Sequence, residues 1–125
     1  MRVLVVDDEP ILANWMADVL DWHGYQTLPL YNAREALDHL FEIQFDVALI
    51  CITLPTISGD EMGDLYRMEV FQPACRVILF DRLDVVEDMK ARRPDFECRG
   101  TPRKSEELVS MIRFGQAAMS AFGEN

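Results

Sequence analysis

Cysteine, histidine and basic residues are all scarce in this sequence. The three cysteines, Cys51, Cys75 and Cys98, are odd in number and widely spaced. They form neither a CxxC pair nor a Cys/His zinc pattern, which argues against a disulfide framework and leaves reduced thiols. The two histidines, His23 and His39, fall at or in helical segments, so no imidazole base is placed near a strand end. Twelve Lys and Arg face 22 Asp and Glu, a net charge of −10. Such a surface repels phosphate backbones, so nucleic acid is not an expected partner. Acidity also suits a divalent-cation site, although solubility alone accounts for it. No apolar run approaches the length of a membrane span, and the first apolar strand begins almost at Met1, leaving no room for a signal peptide. The expectation is a cytoplasmic protein with no membrane contact. At 125 residues and 50% hydrophobic, the chain suits one domain, residues 1–125, with a real core.

What is present is an alternation of short apolar runs and helical patterns. "RVLVV" is a β-branched run of the kind buried on both faces of a sheet. "DDEP" breaks it, with Pro10 suited to a first helical turn. Ile11, Trp15 and Val19 form one apolar row of the helix that follows, and Leu12, Met16 and Leu20 the next. Gly24 is the expected C′ residue. In "YQTLPLY", Pro29 cannot donate to a ladder and points to an edge strand. Asn32 and Glu35 make a variant capping box ahead of a second helix. "DVALICI", the turn "LPTISG" and a helix over about 60–71 come next. "RVILF" is a fourth strand, 83–91 a charged helix and "FEC" a short fifth strand. The last helix has Ser105 as its expected N-cap and Leu108, Ile112, Gly115 and Met119 on one face. The chain ends soon afterwards, leaving no expected output domain.

Five strands alternating with five helices predict a parallel α/β sheet covered on both faces. With the second strand at an edge, the strand order becomes 2-1-3-4-5. Ligands bind at the carboxyl ends of such strands, at the switch point of the order. The first strand ends at Asp7 and Asp8, the third at Cys51, the fourth at Asp81 and the fifth near Thr101. Asp7, Asp8 and Cys51 are therefore expected to converge, with Asp81 and Thr101 nearby.

"VLVVDDEP", "DVALICITLPTISG", "RVILF" and "TPRKSEEL", in this order and spacing, resemble the receiver domain of two-component response regulators (CheY-like). The resemblance covers nearly the whole chain. It implies a flavodoxin-like (βα)5 fold and a phosphorelay role, in which a histidine kinase passes a phosphoryl group to an aspartate with Mg²⁺. It also places a backbone carbonyl of Thr53 beside Asp7 and Asp8 as a metal ligand, and a cis peptide at Thr101-Pro102. Four positions depart from the family pattern. Cys51 stands where the phosphoacceptor aspartate belongs, and Asp81 where a Thr or Ser hydroxyl grips the phosphoryl group. Thr101 replaces the lysine, and Cys98 the aromatic switch residue.

Aspartyl phosphorylation needs a carboxylate nucleophile, a cation, and positive or hydroxyl donors on the transferred group. Cys51 removes the nucleophile, Thr101 the fixed positive charge, and Asp81 adds negative charge where phosphate oxygens would lie. The expectation is a non-enzymatic pseudo-receiver that signals by binding proteins: a kinase, another receiver, an output protein, or a second copy as a homodimer. Asp7 and Asp8 would hold Mg²⁺ weakly at best, having lost the third carboxylate. Two alternatives stand beside this reading. One is phosphorylation on another carboxylate, Asp81 or Asp84. The other is a redox or metal sensor in which the Cys51 thiolate joins Asp7, Asp8 and Asp81 around a softer ion such as Zn²⁺. Neighbouring carboxylates would raise the thiol pKa and oppose that second alternative. Trp22 lies off the first helix's core stripe, either as a surface aromatic or as a docking anchor.

Overall fold

A computed structural model describes residues 1–68 and 74–114. The elements alternate without exception: β1 (Arg2–Val6), α1 (Pro10–Trp22), β2 (Gln26–Leu30), α2 (Ala33–Asp38), β3 (Val47–Cys51), α3 (Gly59–Tyr66), β4 (Arg76–Asp81), α4 (Leu83–Arg92), β5 (Glu97–Gly100) and α5 (Ser105–Arg113). All five strands pair in parallel in the order β2-β1-β3-β4-β5. This is the parallel order expected with the second strand at the edge, and the flavodoxin-like fold that the resemblance implies. Pro29 sits on the edge strand, where its missing N–H costs no ladder bond. Every residue of β3 is buried, as a continuous apolar run on a doubly covered central strand requires.

α1 packs beside α5, while α3 lies on β3 and β4. The α1 face is rotated from the expected rows: Ala13, Met16, Ala17 and Leu20 are buried, Leu12, Trp15 and Val19 flank them, and Ile11 is 87% exposed. The small alanines let the helix axis approach the sheet, which pushes the bulkier apolar residues to the margins. Trp22 is likewise 87% exposed. Gly24 adopts φ +91° just past the helix, the left-handed C′ conformation that favours glycine. At α2, the Glu35 N–H donates to Asn32 Oδ1 (2.9 Å) and Asn32 Nδ2 donates to Glu35 Oε1 (3.0 Å), so the capping pair closes through side chains.

Other boundaries differ from expectation. α3 closes at Tyr66, and the rest of the predicted 60–71 helix runs partly beyond the described residues. Tyr66, fully buried, donates through its hydroxyl to the Ala36 carbonyl and so joins α3 to α2. β5 begins at Glu97, one residue beyond the predicted start, and runs on to Gly100. Ser105 is the first residue of α5 and Lys104 its N-cap, with no side-chain cap. Leu108 and Ile112 are buried on that helix as predicted, while Gly115 and Met119 lie outside the described residues. The Thr101–Pro102 peptide is trans, not cis. Trans is the lower-energy form of an X–Pro bond, and it accompanies a Thr101 N–H bond to the Asp81 carbonyl (2.9 Å) that extends β5 pairing by one residue.

Candidate functional site

The switch point of the sheet lies between β1 and β3, whose ends are held in register at Val6 and Ile50. Asp7 follows directly from β1 and is 2% exposed, with Asp8 exposed beside it. Cys51 closes β3. One oxygen of each carboxylate and the Cys51 sulfur lie within 4.8 Å of one another. The three residues predicted to converge therefore do so.

Asp81, at the end of β4, is the hub of the site. Its Oδ2 accepts from the Thr53 hydroxyl (2.7 Å), the Thr53 N–H (3.0 Å) and the Cys51 thiol (3.5 Å), and its Oδ1 from the Arg82 N–H (2.7 Å). Burial works against the charge on Asp81, but these donors together hold its carboxyl below the usual range. The carboxylate thus clamps the β3–α3 loop to the end of β4.

That loop is tightly bent. Thr56 takes φ +75° and the Ile57 N–H bonds to the Pro55 carbonyl (2.8 Å), a strained γ-turn. Gly59 then returns against β3: a Cβ there would lie 2.3 Å from the Cys51 carbonyl oxygen, so the final glycine of "LPTISG" is a packing requirement.

The acidic pair behaves differently. Burial, then repulsion from Asp8 and Glu9, raise Asp7 from 3.8 to about 6, against the lowering effect of the Glu9 N–H, which donates to Asp7 Oδ1 (2.9 Å). Among the described residues no cation pairs with Asp7 or Asp8. Arg82 meets Asp84 (3.4 Å). The Cys51 thiol is pushed up to about 12, first by burial, then by Asp7 and Asp81. His23 and His39 bond through Nδ1 to the carbonyls of Val19 and Glu35, on their own helices.

Two oxygen donors from Asp7 and Asp8 suit a hard cation such as Mg²⁺, but a protonated sulfur does not complete its shell. A soft ion would first have to displace a tightly held proton from Cys51. The thiol is accordingly expected to be inert. With a pKa near 12, its thiolate fraction at pH 8 is roughly 10⁻⁴, against about a quarter for a free cysteine. Native iodoacetamide labelling followed by peptide mapping should find Cys51 at least ~10³-fold slower than a free thiol. Rapid labelling at neutral pH would mean a thiolate that this geometry does not support.

Of the remaining predicted positions, Thr101 borders Asp81 through the backbone bond above. Cys98 is 1% exposed in β5, its thiol directed to the Phe96 carbonyl (3.8 Å). What the strand ends alone did not reveal is the bond between Asp81 and Thr53. The signal available was a hydroxyl residue two positions after Cys51, across from a carboxylate.

Residues 3–96 match the family model for the response regulator receiver domain. This chain belongs to that family. The receiver is 30% identical over 113 residues to the DNA-binding response regulator MtrA of Mycolicibacterium smegmatis, covering 90% of this chain and 49% of MtrA. It therefore spans about half the length of that relative. It is also 30% identical over 92 residues to sporulation initiation phosphotransferase F of Bacillus subtilis, covering 71% and 73% of the two chains. Among solved structures, TrrA of Thermotoga maritima in complex with Mg²⁺-BeF superposes with a TM-score of 0.75 at 27% identity, over 90% of this chain and 96% of that one. The chemotaxis regulator CheY4 of Vibrio cholerae shares the fold at TM-score 0.79 and 21% identity, over 90% and 95%. Receiver domains are signalling modules of two-component systems and commonly bind Mg²⁺.

Proposed function

We propose that this receiver signals without being phosphorylated. Its Cys51, Asp81 and Thr101 form a degenerate phosphoacceptor pocket, Cys98 stands at the idle switch position, and the domain acts as a non-enzymatic protein-interaction module in the cytoplasm. The observation that carries this reading is the Asp81 clamp. The donors at the ends of β3 and β4, Thr53 N–H and hydroxyl and Arg82 N–H, are already committed to a resident carboxylate. An incoming phosphoryl group would meet no nucleophilic carboxylate on β3, only a protonated thiol. It would also meet a fixed negative charge beside that thiol. Asp7 and Asp8, with the Thr53 backbone carbonyl, would hold Mg²⁺ only weakly. Partners would be a histidine kinase, another receiver or an output protein, or a second copy as a homodimer; nucleic acid and membrane are not among them.

The test is intact mass after incubation with acetyl phosphate and Mg²⁺. The protein should keep its mass. An adduct of about 80 Da, stable to acid and labile to base, would overturn the proposal in favour of a different acceptor. Asp84, exposed and paired with Arg82, would be the first residue to substitute.

A further inference from the structure

A groove of about 770 Å³ lies between α3 and α4 and reaches the β3–α3 loop at Thr53. Its wall on α4 carries two adjoining rows at i, i+4 spacing: Asp84 with Asp88, and Val85 with Met89. Leu54 and Met89 are buried in the floor, and Val85 is half-buried above them. Glu61 lines the opposite wall, in the first turn of α3. These acids are poorly compensated. Asp84 and Asp88 repel one another along α4. Arg82 meets Asp84 at 3.4 Å and Arg92 meets Asp88 at 2.9 Å, but all four side chains are more than half exposed, so the pairs hold weakly. Glu61 has no cation among the described residues and accepts from the Ser58 hydroxyl (2.9 Å). The helix dipoles favour acids in first turns, at Glu61 and Asp84, but not Asp88 in the second turn of α4.

We infer that this groove receives a basic–apolar segment of a partner protein, with Lys or Arg groups on Glu61, Asp84 and Asp88 and an apolar side chain on Val85. Charge complementarity here selects separate monovalent cations over one metal ion. The three metal-type donors that close to within 4.8 Å among the described residues are Asp7, Asp8 and Cys51, so no three of the groove's acids can chelate. Asp84 and Asp88 stand about 6 Å apart along α4, which gives each room for its own side-chain cation. The acidic walls repel nucleic acid and anionic lipid. A second copy of this chain is disfavoured by mutual repulsion of two bodies carrying −10 each. The occupant would touch the Asp81 clamp from outside, because Thr53 belongs to both the clamp and the groove. This names a partner chemistry for the protein-interaction reading, and it rests on that reading.

The probes are the blocked tetrapeptides Ac-Arg-Leu-Leu-Arg-NH₂, Ac-Gln-Leu-Leu-Gln-NH₂ and Ac-Arg-Gly-Gly-Arg-NH₂, each titrated into the ¹⁵N-labelled protein. The first should shift the amides of Thr53, Glu61, Val85 and Asp88. The other two each lack one of the two chemistries and should bind at least ~5-fold more weakly. Glu61→Gln combined with Asp88→Asn should weaken the first peptide by at least ~5-fold as well. Asp38→Asn combined with Glu87→Gln removes two exposed charges outside the groove and should leave its binding unchanged. Folding of both double variants is read from the unchanged amide spectrum of the sheet. Equal binding of either control peptide, equal losses in the two double variants, or undiminished binding by the groove variant would overturn the inference. So would the same amide shifts appearing in the protein alone with a rise in sedimentation mass, which would make a second copy the occupant. No phosphodonor is present, so failure here leaves the intact-mass result untouched.

Discussion

Replacing Asp81 with alanine should lower the melting temperature by roughly 8–12 °C, equivalent to about 2–3 kcal/mol for a domain of this size. The substitution removes one buried carboxylate and strands its donors: the Thr53 N–H and hydroxyl, the Arg82 N–H and the Cys51 thiol. Thr53 and Arg82 border solvent, so water recovers part of the loss, which keeps the effect below that of a wholly buried network. Thr53→Val removes a single hydroxyl bond to Asp81 and should cost only about 1 kcal/mol. The double variant should cost less than the sum, since both changes break the same contact. Additive losses in thermal or urea unfolding would show that the clamp is not a unit. The pH dependence has a definite sign. Asp81's folded pKa is depressed, so its contribution is present above the ordinary aspartate range and is lost as acid drives the pH down through the folded value. In Asp81→Ala that part of the acid sensitivity should vanish.

Much of this architecture was legible from residue order. Continuous β-branched runs announced strands buried on both faces, and Pro29 located the edge. Together these gave the strand order, and the order predicted which strand ends meet: Asp7 and Asp8 against Cys51, with Asp81 near. The convergence follows from topology, which needs only element types and one edge. What stayed hidden depended on side-chain direction and loop path. The sequence names Asp81 as the last residue of β4, but its clasp on Thr53 depends on a β3–α3 loop that bends through a left-handed Thr56, a conformation no residue pattern marks. The core face of α1 keeps Met16 and Leu20 from the expected rows but departs from them at Ile11 for a related reason. Counting large apolar residues favoured Ile11, whereas close packing on a sheet favours Ala13 and Ala17.

Asp7→Asn should act in the opposite direction, stabilising the protein at pH 7 by about 2–3 kcal/mol. Asp7 is buried beside Asp8, with its folded pKa raised from 3.8 to about 6. At neutral pH the folded state must therefore hold a charge that the unfolded chain carries more easily. A carboxyl with a raised folded pKa lends stability below its unfolded value and loses it as the pH climbs through the folded one. Wild-type stability should consequently rise by about 1–1.5 kcal/mol between pH 7 and pH 5, a window above the range where carboxylates of lowered pKa begin to lose theirs. Asparagine imitates the protonated acid: its amide oxygen can keep the bond from the Glu9 N–H, and its NH₂ can face Asp8. The variant's stability should be flat over that window and should meet the wild type's near pH 4. Urea unfolding at pH 5 and 7 measures both. A wild type that weakens steadily on acidification, or an Asp7→Asn variant no more stable at pH 7, would show that the charge on Asp7 is compensated, by a bound cation for instance. Repeating the pH 7 measurement with and without Mg²⁺ separates those cases, because a cation held by Asp7 should stabilise the wild type and leave Asp7→Asn unchanged.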